Sequence, residues 1–130
     1  MLKEKNSMIY LSKIKTIAVV GASNNPSKFG NKIVKDLLRR GFEVFPINPR
    51  EEEIEGLKSY SSIKDLPVVP DLVDLVVRSA VGIGVIKEAI NLGVKNIWVQ
   101  PGAESEEIET YLESHLEINF VLRSCIMIEG

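Results

Sequence analysis

With 130 residues, 45% of them apolar and 26% charged, the chain has the size and balance of one globular domain. Its net charge of −2 gives no global attraction to nucleic acid or an anionic membrane, so an anionic ligand needs a local site of backbone amides and placed cations. The single cysteine, Cys125, excludes an internal disulfide framework and suits a reducing, cytoplasmic compartment.

Residues 1–13 mix Lys and Glu with scattered apolar side chains and read as an N-terminal helix or extension. They contain no uninterrupted apolar core of the kind a signal peptide or membrane anchor needs. A first apolar run follows at Thr16–Val20, then a helical stripe of Phe29, Ile33, Val34, Leu37 and Leu38 that stops at Gly41. A second run covers Glu43–Ile47. Residues 51–66 are less regular: the acidic stretch 51–53 reads as a solvated loop and 61–65 as a short helix. The third run, 72–77, leads into a stripe of Val81, Val85, Ile86, Ala89 and Ile90 that stops at Gly93. Runs at Asn96–Val99 and 118–122 flank a third helix, 105–115, whose early Glu104, Glu106 and Glu107 suit a helix N-terminus.

The runs show little in/out alternation, as expected of strands buried on both faces. Strands alternating with helices through short connections imply a parallel sheet. The expected fold is α/β: a Rossmann-like, doubly wound, five-stranded parallel sheet of order 3-2-1-4-5, helices on both faces, residues 1–130 forming one domain.

Ligands of such sheets bind beyond the carboxyl ends of the strands, where the order reverses. Strand one delivers Gly21, Ala22 and Ser23 there, followed by Lys28 and Gly30. Strand two delivers Asn48, Pro49 and Arg50; strand three Arg78 and Ser79; strand four Gln100, Pro101 and Gly102; strand five Arg123, Ser124 and Cys125. Gly21 permits a tight turn and close backbone approach, Ser23 offers a hydroxyl, and the next helix presents free amides to an anion. Lys28, near that helix start, opposes the helix dipole unless a phosphate sits beside it; the alternative is a solvent-facing lysine on an ordinary turn.

This is not the dinucleotide fingerprint, because Ser23 and Pro26 stand where glycines belong and strand two ends in Asn48, not an acid. Arg50 fits a 2′-phosphate, as on NADP, or a 3′-phosphate, as on coenzyme A. No Walker A loop is present.

Taken in order, Ile17-Ala-Val-Val-Gly-Ala-Ser23 with Lys28 and Gly30, Val44-Phe-Pro-Ile-Asn-Pro49, residues 56–60 with Asp65-Leu-Pro67, residues 74–79, and Ile97-Trp-Val-Gln-Pro-Gly102 carry a resemblance. Over residues 13–129 the chain resembles the single-domain bacterial and archaeal CoA-binding proteins, relatives of the CoA-binding domains of succinyl-CoA synthetase and ADP-forming acyl-CoA synthetases. The resemblance implies coenzyme A or an acyl-CoA as ligand. It puts the pyrophosphate at residues 21–23 and Lys28, and the adenosine and 3′-phosphate along Asn48, Pro49 and Arg50. Arg78 and Ser79 would close the other side, and Gln100, Pro101 and Gly102 would face the pantetheine arm. Ser124, Met127 and the Gly82-Ile83-Gly84 helix start depart from the family's usual residues.

His115 falls at a helix C-terminus far from this edge and reads as a cap. Cys125 reads as a small half-buried residue or as a thiol able to form a mixed disulfide with CoA. Trp98 reads as packing. Glu51, Glu52, Glu53 and Glu55 read as a solvated face, and no His/Cys spacing suggests a metal. No basic patch with interleaved aromatics suggests nucleic acid. These readings lead to a CoA-binding module without evident catalysis, serving as carrier, sensor or partner of an acyl-CoA enzyme. The alternatives are an NAD(P)-binding oxidoreductase-type domain, an acyl-CoA ligase subunit, and an interaction protein with a decayed pocket.

Overall fold

The computed structural model describes residues 9–128, so most of the expected N-terminal extension lies outside the described residues; within it, Leu11–Lys13 forms a 3-10 turn. The elements that follow are β1 (Thr16–Val20), α1 (Phe29–Arg39), β2 (Glu43–Ile47), β3 (Glu53–Ile54), β4 (Leu57–Lys58), β5 (Leu72–Leu75), α2 (Ser79–Leu92), β6 (Asn96–Val99), α3 (Glu106–Glu113) and β7 (Asn119–Leu122).

Five strands form one parallel sheet in the order β2-β1-β5-β6-β7. β1 and β5 are buried almost end to end, as central strands covered on both faces must be. β7, at the edge, alternates between half-buried and buried. On one face, Ile33, Val34 and Leu37 of α1 pack with Ile17, Val19, Leu72 and Trp98. On the other, Ile86 and Ala89 of α2 and Ile108 and Leu112 of α3 pack with Ala18, Val20, Val73 and Leu75. Helices therefore cover both faces, and the doubly wound α/β class expected from the alternation is the one observed.

The chain runs outward from β1 to β2, then crosses back to β5 on the other side of β1. The place beyond β2, where the order 3-2-1-4-5 sets a third strand, is held by Tyr60 alone. It makes one parallel bridge to Ile47, with its N–H donating to the Pro46 carbonyl at 3.0 Å. The apolar run at 72–77 lies beside β1 instead, where β5, buried at every position, has a strand on each side rather than an open edge. That run also ends early: Val76 still donates to the Val20 carbonyl at 2.8 Å, but Val77 turns away toward α2.

The acidic stretch at 51–53, read as a loop, instead leads into a two-stranded antiparallel hairpin, β3 with β4. Its turn residues Glu55 and Gly56 both have positive φ, 51° and 81°, the geometry of a tight type I′ hairpin. The expected helix at 61–65 shrinks to a 3-10 turn, Ile63–Asp65, capped by the Ser62 hydroxyl. α3 begins on Ser105, whose Oγ accepts from the Ile108 N–H. At its far end His115 stacks on Tyr111 with ring centroids 4.3 Å apart, and its Nδ1 lies 2.8 Å from the Tyr111 carbonyl oxygen, the capping role expected of it.

Candidate functional site

The sheet order reverses between β1 and β5, and a cavity of about 630 Å³ opens there on the α2 face. Gly21 and Lys28 line it from the first loop, Asn48, Pro49 and Arg50 from the end of β2, and Arg78 from the start of α2. Six of the sixteen residues expected at the ligand edge are thus gathered in one place.

The local sequence explains the shape of the first loop. Gly21 has φ +102°, and a Cβ there would stand 3.0 Å from the Val76 carbonyl carbon and 3.1 Å from Val77 Cγ1, so only glycine fits. Gly30 serves packing: a Cβ on it would run into the Gly21 carbonyl oxygen. Helix α1 thereby lies directly against the loop and brings its N-terminal amides there. Ala22 is buried, and Ser23 uses its Oγ to accept the Asn25 N–H at 3.0 Å, so both shape the loop from within.

Three asparagine side chains brace this loop. Asn48 Nδ2 donates to the Ala22 carbonyl at 2.9 Å while its Oδ1 accepts the Arg50 N–H at 2.8 Å, tying the loop after β1 to the loop after β2. Asn24 reaches the hairpin: its Nδ2 donates to the Glu53 carbonyl at 2.7 Å, and its Oδ1 accepts the Glu55 N–H at 3.1 Å. Asn31 joins both, with Nδ2 donating at 2.8 Å to the Ser23 carbonyl and to Glu55 Oε2. Glu55, a residue costly to hold at positive φ, is held there by those two partners.

Lys28, Arg50 and Arg78 are exposed, and none forms an ion pair with a carboxylate among the described residues. Three uncompensated cations around a cavity beside a helix N-terminus make an anion-accepting site, whatever the overall negative charge.

The other expected residues lie elsewhere. Ser79 sits in the first turn of α2 outside the cavity. Pro101 and Gly102 form an exposed turn beyond β6, with the Gly102 N–H taken by Glu104 Oε1 at 2.8 Å. Cys125 is half-buried in the loop after β7, away from the cavity. Gln100 does not line this cavity: it is buried, its Nε2 donating to Asp74 Oδ1 at 2.6 Å and its Oε1 accepting the Ile126 N–H at 3.3 Å. The reason is the two-residue period of a strand. Gln100 shares a face with Trp98, which pairs with Asp74 in register, and that is the α1 face, whereas the cavity opens on the α2 face.

Asp74 itself is fully buried; its Oδ2 has no hydrogen-bond partner, and burial pushes its carboxyl up to about 7, against the lowering pull of Gln100. Nearby, Trp98 Nε1 donates to the Ser124 carbonyl at 2.7 Å and Arg40 Nη1 to the Ile126 carbonyl at 3.0 Å. The loop carrying Cys125 is therefore pinned to β6 by Trp98, just beyond it by Gln100, and to the end of α1 by Arg40. Arg123, the cation nearest Cys125 in sequence, pairs with Glu109 at 2.8 Å.

Sequence reasoning did not place Ser61, Ser62, Ile63, Val77, Val81, Val85 and Glu88 in the cavity wall. Val81 and Val85 carried a helical signal, but one that reads as core. Another cavity, of about 510 Å³, opens among Ile9, Ser12, Arg40, Phe42 and Trp98, and none of the expected ligand residues lines it. No group of acidic, His and Cys side chains fit to hold a metal occurs among the described residues, and no helix among them is long and apolar enough to cross a membrane.

A doubly wound parallel sheet with a glycine loop and free cations at its switch point defines a Rossmann-like domain for an anionic ligand. More particularly, the chain belongs to the CoA binding domain family, whose match covers residues 15–130. It is 42% identical over 82 residues to the alpha subunit of an ADP-forming acetate–CoA ligase II of Pyrococcus furiosus; the match covers 62% of this chain and 18% of that subunit. The chain thus spans less than a fifth of that relative's length. Among solved structures, it is similar to a conserved hypothetical protein from the same organism, at 52% identity and a TM-score of 0.84, covering 89% of this chain and 99% of that one. It is also similar to the dinucleotide forming acetyl-coenzyme A synthetase 1 of Ca. Korarchaeum cryptofilum in complex with phosphate and ADP. There the identity is 36% and the TM-score 0.72, over 82% of this chain and 25% of that one.

Proposed function

We propose that this protein binds coenzyme A or an acyl-CoA as a module without catalysis of its own, serving as carrier, sensor or partner of an acyl-CoA enzyme. The observation that carries the reading is the convergence of Gly21, Lys28, Arg50 and Arg78 on one cavity at the switch point, with no carboxylate partner among the described residues for any of the three cations. The backbone of Gly21 and the Lys28 ammonium receive the pyrophosphate, with the first amides of α1 behind them. Arg50 takes the 3′-phosphate and Arg78 closes the opposite wall. From there the pantetheine arm leaves across the sheet edge past Ser79, toward Pro101, Gly102 and the Cys125 loop, while Gln100 holds that loop from beneath.

Two further observations support this reading. The family match covers nearly the whole described chain, and relatives include a subunit of an acetate–CoA ligase. We take residues 1–130 as one CoA-binding unit and a cytoplasmic setting from the lone cysteine. A ligase role would need chains or domains beyond it.

The test is a thermal titration of the reduced protein with CoA, NAD, NADP and ATP. A ligand at ~100 times its Kd adds about 2.7 kcal/mol, a shift of several degrees in a domain of this size. A midpoint raised by CoA alone supports the reading. A response to NADP without one to CoA moves the site to the oxidoreductase class, and silence from all four points to a decayed pocket.

A further inference from the structure

The cavity is electrically lopsided. Lys28, Arg50 and Arg78 line it as exposed cations, and its wall also carries a carboxylate, Glu88. Arg78, Val81, Val85 and Glu88 follow one another along α2 at intervals of three and four residues, so they share one face of the helix. Ten residues at 1.5 Å each put Glu88 ~15 Å along that helix from Arg78. An anionic group placed at Glu88 would be repelled, so that end suits a neutral group that offers N–H donors.

The local geometry is ready for such a group. Ser62 Oγ donates to Glu88 Oε1 at 3.1 Å and itself accepts the Lys64 N–H at 3.3 Å. The hydroxyl is therefore committed on both sides and holds the carboxylate in one orientation. Glu88 Oε2 has no hydrogen-bond partner among the described residues and remains an acceptor. Between Arg78 and Glu88 on α2 stand Val81 and Val85, and Ile47 and Ile63 line the same cavity, apolar surfaces on which a flat ring can pack.

We propose that Glu88 is the base-reading residue of this cavity, accepting the exocyclic amino group of adenine, with Ser62 as its positioning residue. This rests on the CoA reading and gives it a direction, with phosphates at the Lys28 and Arg50 end and the 6-amino group at Glu88. A 6-oxo purine would turn a carbonyl oxygen toward the carboxylate and be disfavoured.

The experiment is calorimetric titration of the reduced protein with adenosine 3′,5′-bisphosphate and inosine 3′,5′-bisphosphate, which lack the pantetheine thiol. The wild type should prefer the adenine ligand by about tenfold or more, the usual worth of one hydrogen bond to a charged group. Glu88→Gln, whose amide both donates and accepts, should bring the two ligands within about twofold of each other. Ser62→Ala should weaken the adenine ligand while leaving it preferred, because the carboxylate remains. Unchanged melting of the ligand-free variants shows that folding is intact. Equal wild-type affinities, or full adenine preference in Glu88→Gln, would overturn the base-reading role alone. Failure of both bisphosphates and of CoA to bind would overturn the CoA reading and this inference with it.

Discussion

Asp74 offers a sharp test of how the interior is wired. Its carboxyl is fully buried in β5, with one oxygen receiving the Gln100 amide at 2.6 Å and the other without a partner. Burial lifts its pKa from 3.8 to about 7, so the folded protein keeps a proton that the unfolded chain has lost above pH ~4. Between those values the native state binds more protons than the unfolded one, and stability falls as pH rises. The loss is complete near pH 7 and flat beyond. At 1.36 kcal/mol per unit, roughly three units amount to on the order of 4 kcal/mol. Asp74→Asn cannot ionise and keeps an acceptor for Gln100, at the cost of about 1–3 kcal/mol for a buried amide with no further partner. The variant should therefore be less stable than wild type at pH 4 and more stable at pH 8. The comparison calls for urea unfolding of both proteins at pH 4, 6 and 8, read as the difference between them so that other titrating groups cancel. A difference that stays constant from pH 4 to 8 would refute the argument, since Asp74 would then not titrate in that window.

Changing Lys28 or Arg78 to Ala should each weaken CoA about tenfold, with a shallower salt dependence, by calorimetry at two ionic strengths. Arg50→Ala should penalise CoA more than 3′-dephospho-CoA, which has no phosphate for that guanidinium. Gly30→Ala should lower stability by about 1–3 kcal/mol and weaken CoA, because the new methyl meets the Gly21 carbonyl and pushes the loop. Gly84→Ala, in the same kind of helical setting but with nothing within 4 Å, should instead raise stability by about 0.5–1 kcal/mol in denaturant titrations.

Much of this architecture was legible because burial leaves a periodic imprint. Ile33, Val34 and Leu37 recur at helical spacing, and β1 and β5 are apolar at nearly every position, so helix, strand and sheet class follow. Gly21, Lys28, Asn48, Arg50 and Arg78 could be placed at one edge because parallel strands all end on the same side. What periodicity does not encode is which elements touch across the sheet. Ser62 and Glu88 are 26 residues apart and meet only because the 3-10 turn packs beside α2. Gln100 stands at a strand end like the ligand residues, but chain position does not reveal that it turns to the α1 face and meets Asp74. The β3–β4 hairpin escaped notice because two-residue strands show no alternation, and Glu55 holds a turn position that ordinarily advertises itself with Asn or Asp.

The bracing of the first loop has a consequence for how this site can change over evolutionary time. Ala22 and Ser23 are bonded by the side chains of Asn48 and Asn31, and Asn24 bonds the hairpin backbone with its own side chain, so three other segments hold the loop. A glycine loop transplanted from another nucleotide-binding domain would arrive without those partners and would have to be accompanied by them. The wall formed by residues 61–63 and the outer half of α2 carries no such web; Ser62 and Glu88 lean on each other. New ligand preferences can be explored there one or two substitutions at a time, while the phosphate-facing loop stays as it is.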